Sequence, residues 1–146
     1  MSETYILFLI AGTTYAVRSR DITHVEMVDG VTAVPGAPAY VDGVVFSRGA
    51  VVPALNLRAR FGLERAPADV RTRLLVVHFE GRHVGLVVDA AREFLTLDAA
   101  QIHPAGDGLG LVNRRFLEGI ANLNDRLILV LNLHAVLEAS ETVAAE

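Results

Sequence analysis

Apolar positions in this chain come in short runs with weak alternation, and turn-forming residues separate them. "YILFLIA" (5–11) and "TYAVRS" (14–19) flank Gly12-Thr13, and "LLVVHFE" (74–80) and "RHVGLVVD" (82–89) flank Gly81. "GVVFS" (43–47) and "AVVPALN" (50–56) flank Arg48-Gly49, while "GIANL" (119–123) and "RLILVLN" (126–132) flank Asn124-Asp125. This grammar predicts four hairpins. Runs that are apolar on both faces suit strands covered on both sides, as in small closed barrels packed on each other. Pro53 cannot donate to a ladder and is expected at an edge or a bulge. Helix is predicted only in short pieces. One covers 56–62, with Asn56 as N-cap and Gly62 as stop; another covers 132–138, with Asn132 as N-cap. A single turn at 98–102 carries a D-x-x-Q capping pattern. The stretch "ERAPADVRT" (64–72) reads as a linker, and residues 139–146 read as a frayed tail.

The pattern repeats. At an offset of 76, Gly43 meets Gly119, Leu55 meets Leu131, Asn56 meets Asn132 and Leu57 meets Leu133. At an offset of 69, the first hairpin meets the one around Gly81. The difference of seven fits an insertion within "HPAGDGLGLVNRR" (103–115). A duplication of this kind implies two similar barrels with a groove between them.

Composition narrows the function. A chain of 146 residues suits one domain, here 1–146. The absence of cysteine removes disulfides, thiolate zinc sites and a cysteine nucleophile. A net charge of −4 argues against nucleic acid as a partner. The apolar run at 5–12 follows Glu3 without a basic flank, so it is no signal peptide, and no run reaches spanning length.

Few residues suggest chemistry. His78 and His83 flank one hairpin but lack a third ligand, so no metal is expected. "GDGLG" (106–110) follows no strand and opens no helix, which argues against a phosphate cradle. "RTR" (71–73) and Arg114-Arg115 have no interleaved aromatics and read as solvated faces or partner contacts. Arg48 sits on a turn between two apolar strands. It is either a solvent-facing turn residue or an anchor for a protein partner.

The stretch "VPGAPAYVDGVVFSRGAVVPALNLRARF" (34–61) resembles the signature of CheW-type chemotaxis coupling proteins. Val34-Pro35, Pro38, Tyr40-Val41, Gly43-Val44, Arg48-Gly49, Val51-Val52-Pro53, Leu57-Arg58 and Phe61 fall in register. "GTTYAV" (12–17), "DITHVEMV" (21–28), "HVGLVVD" (83–89), "LTLDAAQIHP" (95–104) and "FLEGIANLNDRLILVLNL" (116–133) extend the likeness over nearly the whole chain. The resemblance implies an all-β fold with a few short helices: two packed five-stranded SH3-like β-barrels related by pseudo-two-fold symmetry. It implies a non-catalytic cytoplasmic adaptor without cofactor, recruited to membrane-associated receptor arrays. Its partners would be a chemoreceptor's cytoplasmic tip and the regulatory domain of a CheA-type histidine kinase. The receptor positions carried over are His24, Glu26, Gly43, Arg48 and Phe94, with Arg48 paired to Glu26. Four positions depart from the pattern. Phe46-Ser47 replaces Asn-Leu before Arg48, Asn56 replaces an aspartate, and His24 stands where a small apolar residue is common. A divergent member that keeps one partner, or a β-barrel regulatory module that binds a small ligand, are the alternative readings.

Overall fold

The computed structural model describes residues 1–104 and 114–138. The glycine-rich 106–110 and the tail 139–146 therefore lie outside the described residues. The strands are β1 (Ser2–Ile10), β2 (Thr13–Arg18), β3 (Ile22–Met27), β4 (Val41–Ser47), β5 (Ala50–Asn56), β6 (Arg73–Phe79), β7 (Arg82–Val88), β8 (Ala90–Asp98), β9 (Ile102–His103), β10 (Leu117–Leu123) and β11 (Arg126–Leu131). Two helices, α1 (Leu57–Arg60) and α2 (Leu133–Leu137), follow β5 and β11. Single 3-10 turns occupy Ser19–Asp21 and Ala99–Gln101, the second closed by the capping box of Asp98 and Gln101.

All four hairpins form. Each turns on two residues of positive φ: Ala11-Gly12, Arg48-Gly49, Glu80-Gly81 and Asn124-Asp125. That geometry matches the twist of the flanking strands. The first turn thus lies one residue earlier than its glycine suggested, because Thr13 already pairs with Ile10.

The strands build two sheets, ordered β8-β1-β2-β11-β10-β9 and β3-β6-β7-β5-β4. They are two SH3-like barrels, yet neither barrel is one half of the sequence. Each takes a hairpin from one repeat and the rest from the other, four strands in the first sheet and three in the second. The first has six strands rather than the expected five because the short β9 joins it, and the parallel pairs β2–β11 and β5–β7 make the joins. The repeat offsets hold in the ladders. Ala54 faces Gly85 as Val130 faces Ala16, and Val25 faces Leu75 as Phe94 faces Ile6. The bulges agree as well, at Val41/Gly43 and at Leu117/Gly119. The two-residue β9 has a single bridge, Thr32 to Val44, as its counterpart.

The weak alternation now has a cause. Tyr5 and Leu7 of β1 face the interior of the first barrel, whereas Ile6, Phe8 and Ile10 face the layer between the barrels. On β6, Leu74 and Val76 fill the second barrel, and Leu75 and Val77 join the same middle layer. Strands buried on both faces need apolar residues at every position.

Pro53 does not lie on an edge strand, since β5 runs between β4 and β7. Its partner Val44 directs both backbone groups to Thr32, and the pairing with β7 starts only at Ala54. No ladder bond is required of the N–H at position 53, so its absence goes unnoticed.

Both predicted caps are made. Asn56 accepts from the Ala59 N–H at 3.0 Å and Asn132 from the Ala135 N–H at 3.1 Å. Asn56 also donates to Asp42 at 2.9 Å. An aspartate at 56 would set two carboxylates against each other, which explains the departure from the family pattern. Asn132→Ala is expected to cost about 0.5–2 kcal/mol. Asn56→Ala should cost more, because it strips a half-buried carboxylate of a donor as well. Urea unfolding of the two variants checks the order.

Candidate functional site

Four of the residues singled out by sequence, or adjacent to them, meet at one mouth of the second barrel. His24 and Glu26 are two apart on the edge strand β3, so they share a face. Ser47 ends β4 and Arg48 opens the turn that follows. The Ser47 hydroxyl donates to Glu26 Oε2 at 2.6 Å. His24 Nε2 lies 2.5 Å from the same oxygen and 2.9 Å from Ser47 Oγ. The Ser47 hydrogen bond, opposed by burial and helped by that of His24, holds the Glu26 carboxyl below its ordinary range. The Arg48 charge is the smallest of these influences.

The expected ion pair between Arg48 and Glu26 is not formed. Arg48 is exposed on a left-handed turn, while Ser47 and His24 occupy the carboxylate. His24 and Ser47, two of the four positions that depart from the family pattern, thus touch each other. Ser47 was not among the sequence candidates. The available signal was a small polar residue in place of leucine, and the structure buries it.

The other two candidates lie elsewhere. Gly43 is buried beneath Thr32, and its role is the close approach of two backbones. Phe94 stands on β8 of the other sheet with its ring 66% exposed. Phe46 and Val51 face each other across β4 and β5, both exposed, beside Arg48.

A serine, a histidine and an acid in contact suggest a nucleophile relay, but the arrangement is wrong for one. The acid binds Nε2 and the hydroxyl together, whereas His24 Nδ1 is buried without a partner. In a relay the acid orients the imidazole through Nδ1 and leaves Nε2 for the nucleophile. Among the described residues no group of three His, Asp or Glu could hold a metal. His78 and His83 stack with centroids 4.5 Å apart, as direct cross-strand neighbours.

A second polar center joins the barrels. Asp89 accepts from Arg58 Nε at 2.9 Å and Nη2 at 2.7 Å, and from the Ala11 N–H of the first hairpin at 2.7 Å. Burial opposes ionisation of Asp89, but these hydrogen bonds outweigh it and leave the carboxyl below its ordinary range. The unfolded chain, with an aspartate near about 3.9, therefore takes up the proton first. The contribution is complete above about pH 5 and is lost as pH falls through about 4 and below. Asp89→Asn is expected to flatten that acid limb, as read by urea unfolding across the same range.

The polar mouth of the second barrel thus holds a serine–histidine–glutamate contact whose geometry is not that of a relay. The CheW-like domain family matches residues 4–141, and the chain belongs to that family. It is 33% identical to the chemotaxis protein CheW of Rhizobium meliloti over 96% of this chain and 90% of the relative. It is 29% identical to that of Bacillus subtilis over 98% of this chain and 92% of the relative. The crystal structure of a CheW scaffolding protein from Thermoanaerobacter tengcongensis superposes with a TM-score of 0.85 at 28% identity, covering 94% of both chains. The chain is thus a non-catalytic scaffold of the chemotaxis type. Among the described residues no helix is long and apolar enough to cross a membrane.

Proposed function

We propose that the chain acts as one unit that couples a chemoreceptor's cytoplasmic tip to the regulatory domain of a CheA-type histidine kinase, and is recruited to receptor arrays by those contacts. The observation that carries this reading is the mouth of the second barrel. An exposed arginine without an internal carboxylate stands there beside the exposed Phe46 and Val51. Apolar groups flanking an arginine are the composition of an interface anchor. Arg48 and Phe94 are the proposed receptor-contacting residues, His24 and Glu26 stand behind Arg48 at the same mouth, and Gly43 supports them through the backbone.

Arg48→Ala is expected to leave the melting curve unchanged, since an exposed charge contributes roughly 0–1 kcal/mol to folding. It should weaken binding of a receptor-tip fragment at least about tenfold, or about 1.4 kcal/mol. Calorimetric titration with that fragment and with the kinase regulatory domain tests the reading. Failure of the wild-type protein to bind either one overturns it, and binding of one alone identifies a member that has kept a single partner.

A further inference from the structure

The two barrel mouths are related by the repeat but differ in their polar groups: at the place of His24 the first barrel has Glu93, which pairs with Arg126 at 4.0 Å. Glu26 faces Leu74 across its ladder as Leu95 faces Tyr5, and Ser47 faces Ala50 as Leu123 faces Arg126. The counterparts of Glu26 and Ser47 are therefore Leu95 and Leu123, which pack on the core of the first barrel. The fold fills these two positions with leucines in the other barrel, so it does not require the contact between Glu26 and Ser47. Enclosing polar side chains where apolar ones suffice carries a desolvation cost. What the cluster does achieve is visible in its geometry: Glu26 Oε2 accepts from Ser47 and His24, and Arg48 donates no hydrogen bond to that carboxylate.

We infer that Ser47 and His24 determine partner selection by occupying Glu26, which leaves the Arg48 guanidinium to receive a carboxylate from the receptor tip. The inference rests on the adaptor reading and adds the chemistry of the contact. The receptor side must present an acid next to apolar residues that cover Phe46 and Val51. Charge complementarity selects that occupant, because an arginine enclosed by an apolar interface needs an anion or loses more than it gains. Ser47 and His24 act as positioning residues. Without them the Glu26 carboxylate is free to swing to Arg48 and compete with the partner's acid.

The test uses the full chain and tip fragments of the chemoreceptors encoded in the same genome, with each tip Glu or Asp changed in turn to Gln or Asn. One tip acid should couple to Arg48: neutralising it after Arg48→Ala causes no further loss. Ser47→Ala should weaken tip binding by about threefold, the scale of a competing exposed pair. Adding Glu26→Gln to Ser47→Ala should restore it, which a general loss of structure would not do. Thermal unfolding verifies that each variant is folded, and if Ser47→Ala is not, His24→Asn with and without Glu26→Gln replaces it. The inference is overturned if the tip binds but every acid substitution multiplies independently with Arg48→Ala, or if Glu26→Gln gives no rescue. Either result leaves the adaptor reading standing. Binding of the kinase domain without the tip also overturns the inference alone, whereas binding of neither removes both.

Discussion

Gly43→Ala is expected to be among the most damaging single substitutions in the protein. Gly43 has φ +147°, a conformation that side-chain-bearing residues rarely adopt. A Cβ there would lie 2.0 Å from the Thr32 carbonyl oxygen and 2.6 Å from its carbon. Both are backbone atoms, so no rotamer change relieves the overlap. Thr32 cannot retreat cheaply, because it is tied to Val44 by bonds of 2.9 and 2.8 Å in both directions. Backbone strain of about 1–3 kcal/mol adds to the loss of two hydrogen bonds at about 0.5–1.5 kcal/mol each. The sum, on the order of 2–6 kcal/mol, is a large share of a typical stability of about 5–15 kcal/mol. Gly119 provides the control. Its Cβ would meet the His103 oxygen at 2.6 Å, but its φ is not in the left-handed region. Gly119→Ala should therefore cost less. Urea unfolding of both variants decides the matter, and a smaller loss for Gly43→Ala would show that the Thr32 approach is not what requires glycine.

The second large effect is expected at Arg60. Its guanidinium lies 4.3 Å from the center of the Tyr40 ring and 5.0 Å from that of Phe116. These aromatics are repeat-related, and the carbonyl of each accepts from a capping residue, Asn56 or Asn132, at 2.7 Å. Arg60 also donates to the carbonyls of Val136 at 2.9 Å and Ala135 at 3.1 Å. One cation thus closes the end of α2 and joins it to α1 between the two repeats. Half-buried cation–π contacts contribute about 0.5–2 kcal/mol, and hydrogen bonds from a charged donor about 1.5–3 kcal/mol. Arg60→Met keeps the apolar stem and removes both. The expected loss is about 3 kcal/mol, or roughly 6–12 °C in melting temperature for a chain of this size. A shift below about 2 °C would show that the carbonyls and rings are satisfied without it.

Some of this was legible in the residues themselves. Hairpins, caps and the duplication are local features, set by turn residues and by side chains that bond to their own first turn. The paired asparagines at 56 and 132 could be read without knowing what surrounds them. The strands β3 and β8 were harder to see. Their side chains are mostly half-buried or exposed and include the polar His24, Glu26, Arg92 and Glu93, so no apolar run marks them. They are strands because β6 and β1 offer unpaired backbone groups along their edges.

The site divides in the same way. The residue types and the turn that carries Arg48 were evident from the sequence, and so was the presence of a glutamate two residues beyond a histidine. Which group Glu26 binds was not. That depends on β3 and the end of β4 arriving at one barrel mouth, although they are opposite ends of their sheet's strand order. The same holds for the exchange of strands between the repeats. By itself the sequence determined that two similar β units form and where each turns. Tertiary structure alone decided which hairpin completes which barrel and which carboxylate Arg48 is denied, because those outcomes depend on contacts between residues far apart in the chain.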